Sequence, residues 1–237
     1  MKLNRFPYFS KLHPDRSGFT LIEMALILVA LGIFISISAI AMQSLVYSRK
    51  IEENKKILAE YDRSVKGFLT SNYRIICPDM NNDGEENHIK CSWGMDSCAD
   101  YTGYLPYLSL GLPSEKDAWG NKVLYSICDP GDQGSTDTIT LLCDFLDSQP
   151  NDQAAIDEIY FNNAEDISQY PAYIIVSGGP KDLDDQGGFF DGYNGASPDV
   201  RFESPDKIAS STYDDFVIAV SFDDLYDEIC TSSGEVK

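Results

Sequence analysis

Residues 24–48 contain no charged side chain, a run of 25 positions. At about 1.5 Å per residue such a helix crosses a hydrocarbon layer of about 30 Å with length to spare. Beyond it the pattern turns amphipathic. Tyr47, Ile51, Leu58, Tyr61, Val65 and Phe68 recur at alternating four- and three-residue steps, broken only by Asn54, while Arg49, Glu52, Glu53, Lys56, Glu60 and Arg63 take other faces. This spacing predicts that the helix continues to residue 76 with one buried stripe. The pattern then shortens. KVLYSIC (122–128), TITLLC (138–143), AYIIVS (172–177) and DFVIAVS (215–221) are β-prone apolar runs bounded by Pro, Gly, Asp and Asn, and four strands are expected from them. NDQAAIDEIYF (151–161) places Ala155, Ile156, Ile159 and Tyr160 at helical spacing. Ser221-Phe222-Asp223-Asp224 has the form of a capping box opening a short helix through Ile229. A Gly/Asp-rich stretch, 178–199, is the main irregular loop.

One residue disturbs the apolar pattern at its head. Glu23 stands at the edge of the span, where an ionisable group costs roughly 2.5–3.5 kcal/mol at full depth on insertion scales and marks function by default. The formal net charge is −20, unevenly spread. Residues 77–237 hold 32 acidic side chains against seven basic ones, whereas the preceding residues are net basic. So acidic a block excludes a nucleic-acid backbone as partner, since that requires clustered Lys and Arg, and favours multivalent cations. Basic residues flank the span equally, so charge alone leaves its orientation open. All six cysteines, Cys77, Cys91, Cys98, Cys128, Cys143 and Cys230, follow the span, which places the acidic block in an oxidising exterior compartment. The alternative to a retained helix is a secretory signal peptide, with Ala39-Ile40-Ala41 imitating its cleavage site. The apolar run is longer than the usual h-region of about 7–15 residues, and a signal peptide has no use for Glu23.

A basic leader ending in Gly18, then Phe19-Thr20-Leu21-Ile22-Glu23 and a long apolar run, resembles the class III signal of type IV pilins and type II secretion pseudopilins. The 103–127 stretch, with its D-x-W-G-N turn, and the 212–230 stretch resemble later parts of such subunits more weakly. The resemblance implies an α+β fold in which a long N-terminal transmembrane helix packs on an antiparallel sheet with disulfide-stapled loops. It implies a leader, 1–18, cut off after Gly18 by prepilin peptidase, a methylated mature N-terminus at Phe19, a transmembrane and filament-core helix over 19–48, its amphipathic continuation over 49–76, and an exterior domain over 77–237. The implied partners are that peptidase, other pilin or pseudopilin subunits and an inner-membrane assembly platform. The chain would be single-pass in the inner membrane with a periplasmic C-terminal domain, then part of a filament. The α-amine created on Phe19, with a reference pKa of about 7.7–8.0, gives Glu23 of a neighbouring subunit a cation at the same depth. Glu23 then acts as a register device; the alternative is an interfacial glutamate that snorkels to water.

The remaining chemistry is thinner. Cys128 and Cys143 close two adjacent strand candidates, so a pair across that hairpin is the first expectation; a pair within Cys77, Cys91 and Cys98, leaving one of the three for Cys230, is the second. Zinc ligation is the rival, without a Cys-x-x-Cys in its favour. Asp79, Asn81, Asp83 and Gly84 match the opening positions of a calcium loop, although its twelfth position is Lys90. Asp182, Asp184, Asp185 and Asp191 form a second candidate, and in secretion pseudopilins a late loop binds calcium. Calcium is thus the one cofactor entertained, with a solvated acidic turn as the alternative at each place. No G-x-S-x-G, H-E-x-x-H or P-loop is present, which argues against an enzyme, while Tyr101, Tyr104, Tyr107, Trp119, Phe189, Phe190 and Tyr193 leave open a filament-tip binding module.

Overall fold

The structure, a computed structural model, describes residues 18, 20–90, 96–127, 139–148, 160–162, 171–184, 189–195 and 201–231. The chain divides into two compact units, Met1–Ser48 and Arg49–Lys237. Helix α1, Leu21–Asn72, is the longest element. In the first unit it is apolar and exposed, and it is long and apolar enough to cross a membrane. Ser36 and Ser38 do not leave hydroxyls bare there: Ser36 Oγ donates to the Gly32 carbonyl and Ser38 Oγ to the Phe34 carbonyl, both at 2.8 Å. This back-bonding is how a polar side chain is satisfied where water is absent.

In the second unit α1 buries Asn54, Leu58, Tyr61, Val65 and Leu69, one stripe along its length. The stripe differs from expectation at both ends. Ile51 and Phe68 are only half-buried, and Asn54, the apparent break, has no exposed surface at all. The helix stops at Asn72 rather than 76, where Tyr73 turns left-handed (φ 55°). Tyr73 N donates to the Leu69 carbonyl at 2.8 Å, closing the last turn, and Asn72 Nδ2 adds a side-chain hydrogen bond to the Phe68 carbonyl at 3.0 Å.

The sheet against this stripe has four antiparallel strands in the order β3-β4-β6-β8, with β3 Thr102–Tyr104, β4 Leu124–Ile127, β6 Pro171–Ser177 and β8 Phe216–Ser221. Every residue of β6 is buried. At alternate positions of β6, Tyr173 Oη donates to Asp62 Oδ1 (2.6 Å) and Ser177 Oγ accepts from Asn54 Nδ2 (3.1 Å), so the face carrying 173 and 177 is docked on the helix. Two smaller ladders stand apart. Strands β1 (His88–Lys90) and β2 (Asp96–Cys98) pair antiparallel, and β5 (Tyr160–Asn162) pairs parallel with β7 (Arg201–Glu203).

The predicted strand over 138–143 is instead helix α2, Ile139–Ser148. Its buried residues are Leu142, Cys143 and Leu146, a helical spacing that becomes visible only when the apolar run is followed past the cysteine into Asp144-Phe145-Leu146. Cys143 is therefore no strand end. It is joined to Cys230, and the Cys128–Cys143 pairing is wrong, as is the assignment of Cys230 to the Cys77–Cys98 region. Cys77 is joined to Cys98, a pair within that region as expected; Cys91 and Cys128 lie outside the described residues. So does most of 151–161, and its described end, Tyr160 and Phe161, lies in the strand Tyr160–Asn162 rather than in a helix. The capping box forms as read: Asp224 N donates to Ser221 Oγ (3.0 Å) and Ser221 N to Asp224 Oδ2 (3.3 Å), opening α3, Phe222–Tyr226, which continues as a wider turn over Asp227–Thr231. Phe145 meets Phe222 edge-on at 6.3 Å beside the Cys143–Cys230 bridge.

Candidate functional sites

At the head of α1, Thr20 and Glu23 cap the helix reciprocally. Thr20 N and Thr20 Oγ1 both donate to Glu23 Oε2 (2.9 and 3.0 Å), and Glu23 N donates to Thr20 Oγ1 (3.3 Å). This is a capping box with threonine at the cap and glutamate three residues on, and it satisfies two amides that a helix otherwise leaves bare. The sequence carries the box as Thr20-Leu21-Ile22-Glu23, a T-x-x-E at the head of the apolar run. Gly18 is exposed before the box, and Phe19 lies outside the described residues.

The first acidic loop is organised on its own backbone. Asp79 is fully buried, its Oδ1 accepting from Asn82 N (2.6 Å) and its Oδ2 from Gly84 N (2.7 Å). Asn81 Oδ1 accepts from Asp83 N (3.1 Å), Asp83 Oδ1 from Glu85 N (2.9 Å), and Asn81 Nδ2 donates to Asp83 Oδ2 (2.9 Å). Asn82 (φ 68°) and Gly84 (φ 89°) are left-handed, the conformation these residue types adopt most readily. The pattern D-x-N-x-D-G thus specifies a self-closing chain of Asx turns, with every oxygen just named already accepting a hydrogen bond.

The late loop is arranged differently. Asp184 Oδ2 accepts from Gly192 N (2.7 Å), and Asp191, fully buried, accepts from Leu183 N at Oδ1 (2.7 Å) and from Asp214 N at Oδ2 (2.8 Å). Asp191 N in turn donates to Asp215 Oδ2 (2.9 Å), which also receives Asn194 Nδ2 (2.8 Å). These bonds draw the loop that follows β6 onto the segment entering β8. They bring together two triplets sharing Asp191: Asp182, Asp184 and Asp191, and Asp191, Asp214 and Asp215, each offering carboxylate oxygens within 4.8 Å of one another. Asp185 lies outside the described residues. Asp214 and Asp215 were not among the residues singled out in the sequence, because an Asp pair before an apolar run signals only a strand boundary.

Burial pushes the Asp215 carboxyl up to about 8, with the charges of Asp191 and Asp214 adding to the effect against the hydrogen bonds from Asn194 and Asp191 N. Burial and then the Asp191 charge raise Asp214 to about 6, with Lys181 opposing. Asp214 Oδ1 and Asp215 Oδ1 are buried without a hydrogen-bond partner. Glu203, also buried, is neutralised separately by Lys207 Nζ at 2.6 Å, and that ammonium lies 4.2 Å from the centre of the Tyr213 ring.

A third polar cluster ties helix to sheet. Ser177 Oγ donates to Asp117 Oδ2 (2.8 Å), and Asp117 Oδ1 accepts from Trp119 N and Asn121 N (both 2.9 Å), closing the D-x-W-G-N turn. Asn54 Oδ1 accepts from Ala118 N (3.3 Å), and Asn121 Nδ2 donates to the Gly179 carbonyl (2.8 Å). Gly120 (φ 94°) occupies the left-handed position of that turn, and Trp119 stacks on Phe216 at 5.6 Å. Comparison of the chain with protein-family models, with characterised proteins and with solved structures finds no match.

Proposed function

We propose that the chain is a structural subunit of a type IV pilus or a type II secretion pseudopilus, cleaved after Gly18 by prepilin peptidase and assembled through α1. The observation that carries this reading is the junction Gly18-Phe19-Thr20-Leu21-Ile22-Glu23 followed by the uncharged run of 25. An antiparallel sheet docked on the later half of the same helix, and two disulfides in the acidic domain, fit a subunit whose domain faces an oxidising exterior. On this reading the domain is periplasmic, the helix is single-pass in the inner membrane, and the partners are the peptidase, neighbouring subunits and an assembly platform. The role is structural rather than catalytic.

Glu23 then has two jobs, which call on different properties of its side chain. Within one subunit it caps the helix through Oε2. Between subunits its negative charge meets the Phe19 amine of a neighbour, which fixes how far one helix slides along the next; a charge left unpaired in lipid is penalised and a paired one is tolerated. Glutamine at the same position keeps the capping box and loses the charge. Glu23→Gln and Glu23→Ala should therefore both insert and both lose their leader, and both should fail to enter filaments, as read by the sheared filament fraction against the membrane fraction. Glutamine incorporating as well as glutamate would show that capping alone is required and would overturn the register role.

A further inference from the structure

Three groups from separate segments meet around one lysine nitrogen beside the first acidic loop. Lys122 Nζ donates to Asn82 Oδ1, is 2.6 Å from Glu115 Oε1, and lies 5.2 Å from the centre of the Tyr104 ring. Backbone hydrogen bonds hold each of them in place. Glu115 and Lys122 stand on facing arms of the hairpin closed by the D-x-W-G-N turn, where Asp117 N donates to the Asn121 carbonyl (2.8 Å) and Val123 N to the Glu115 carbonyl (3.0 Å). Asn82 is set by its own amide, which donates to Oδ1 of buried Asp79, and the Asp79 backbone is paired in both directions with that of Tyr104 (2.9 Å each). An ion pair needs only Lys122 and Glu115. Here the amine also faces a carboxamide, an electrophile, that is 40 residues away in the chain, and Glu115 Oε2 is buried with no hydrogen-bond partner among the described residues.

We propose that Lys122 and Asn82 become joined by an isopeptide bond, with Glu115 as the catalytic residue that carries the proton. Glu115 Oε1 takes a proton from the Lys122 ammonium, and the neutral amine attacks Asn82 Cγ, the carbon that bears the oxygen Nζ already contacts. The Nζ–Cγ bond forms and the carbonyl π pair moves onto Oδ1. The surplus proton on Nζ passes through the Glu115 carboxyl to Nδ2, the Cγ–Nδ2 bond breaks, and the carbonyl is restored as ammonia leaves. Glu115 then returns its first proton to the ammonia. One lysine ammonium and one carboxamide thus yield one secondary amide and one ammonium ion, and nothing is oxidised or reduced. Holding the reacting groups together supplies effective concentrations that reach about 10⁵–10⁸ M when well oriented, and a positioned proton carrier contributes roughly 10²–10⁴-fold. The side chains of Glu115 and Lys122 are 13% and 31% exposed, which limits competing water, whereas Asn82 is exposed and lets the ammonia escape. The bond ties the loop that follows α1 to the hairpin that Asn54 docks, whether or not the chain enters a filament.

The test is peptide mapping of the full chain, purified in detergent, reduced, alkylated and digested with trypsin and chymotrypsin. The segments containing Asn82 and Lys122 should emerge as one branched peptide, lighter than their sum by the ammonia lost, and tryptic cleavage after Lys122 should be absent. Lys122→Arg and Asn82→Ala should each give the two segments separately. Glu115→Gln keeps a hydrogen-bonding group beside Nζ but carries no proton, and it should reduce the branched peptide by about tenfold or more. A succinimide at Asn82 also loses ammonia, but it leaves Lys122 cleavable and persists in Lys122→Arg; that result would overturn the proposal. So would a parent chain in which the two segments are wholly separate, whatever the variants do. A Glu115→Gln chain linked as completely as the parent would overturn the proton-carrying role.

Discussion

Replacing Asn54 by alanine removes the side chain that fastens α1 to the sheet at its most buried polar point. The amide gives up two hydrogen bonds, to Ser177 Oγ at 3.1 Å and from Ala118 N at 3.3 Å. Each is worth about 0.5–1.5 kcal/mol net, and stranding the Ala118 amide adds about 1 kcal/mol or more. Ser177 is not stranded, since it still donates to Asp117 Oδ2. The expected loss is about 2–4 kcal/mol, or roughly 5–15 °C in Tm for a unit of this size. Ser177→Ala loses the same Asn54 contact together with a charge-assisted bond to Asp117, so it should cost at least as much. Because the two variants share one bond, the double variant should be less destabilised than the sum by about 1 kcal/mol. Urea denaturation of residues 49–237, the unit without the apolar span, measures all four corners of the cycle. A cycle additive to within about 0.3 kcal/mol, or an alanine variant as stable as the parent, would refute the claim that this polar cluster fastens the helix.

Two further outcomes follow from the same structure. Non-reducing peptide mapping should recover Cys77 linked to Cys98 and Cys143 linked to Cys230; breaking the second bridge, whose cysteines are 87 residues apart, should cost about 4 kcal/mol, with Cys143→Ser, Cys230→Ser and the double variant alike within error, and a double variant clearly worse than either single would contradict the pairing. In chelator, stability should fall as pH rises from about 5 to 8: Asp214 and Asp215 hold protons more tightly folded than unfolded, so their contribution is complete below about 4 and is lost as pH passes about 6 and then about 8. Melting curves across that window should show the slope in the parent chain and a flatter one in Asp215→Asn, and a parent chain that gains stability over the same range would contradict it.

The elements that were legible in the sequence are those whose signals are local. The Ser221 box, β6 and β8 each carry their own pattern, a cap at fixed spacing or a β-branched run with clear ends. The errors arise where meaning depends on a distant partner. TITLLC is apolar enough for either a strand or a helix, and only Cys230 and Phe222 across the domain give its helical face something to pack on. Asn54 looked like a fault in the stripe because Ser177, 123 residues away, is what makes its burial favourable. Asp214 and Asp215 draw their significance from Asp191, which the chain reaches only through a loop folded back on the strand entrance. Strand β3, three residues around a glycine, is too short to show any period; it is recognised by its register with β4.

The most direct test of the proposed role is the chemical identity of the mature N-terminus. Intact-mass and N-terminal peptide analysis of the chain purified from membranes of a host that has prepilin peptidase should find residues 19–237, beginning at Phe19 and carrying one N-methyl group, with the unprocessed chain accumulating when the peptidase is absent. A chain that still begins at Met1 with the peptidase present, or one that begins at Met42 after cleavage within the apolar run, would contradict the account at its foundation.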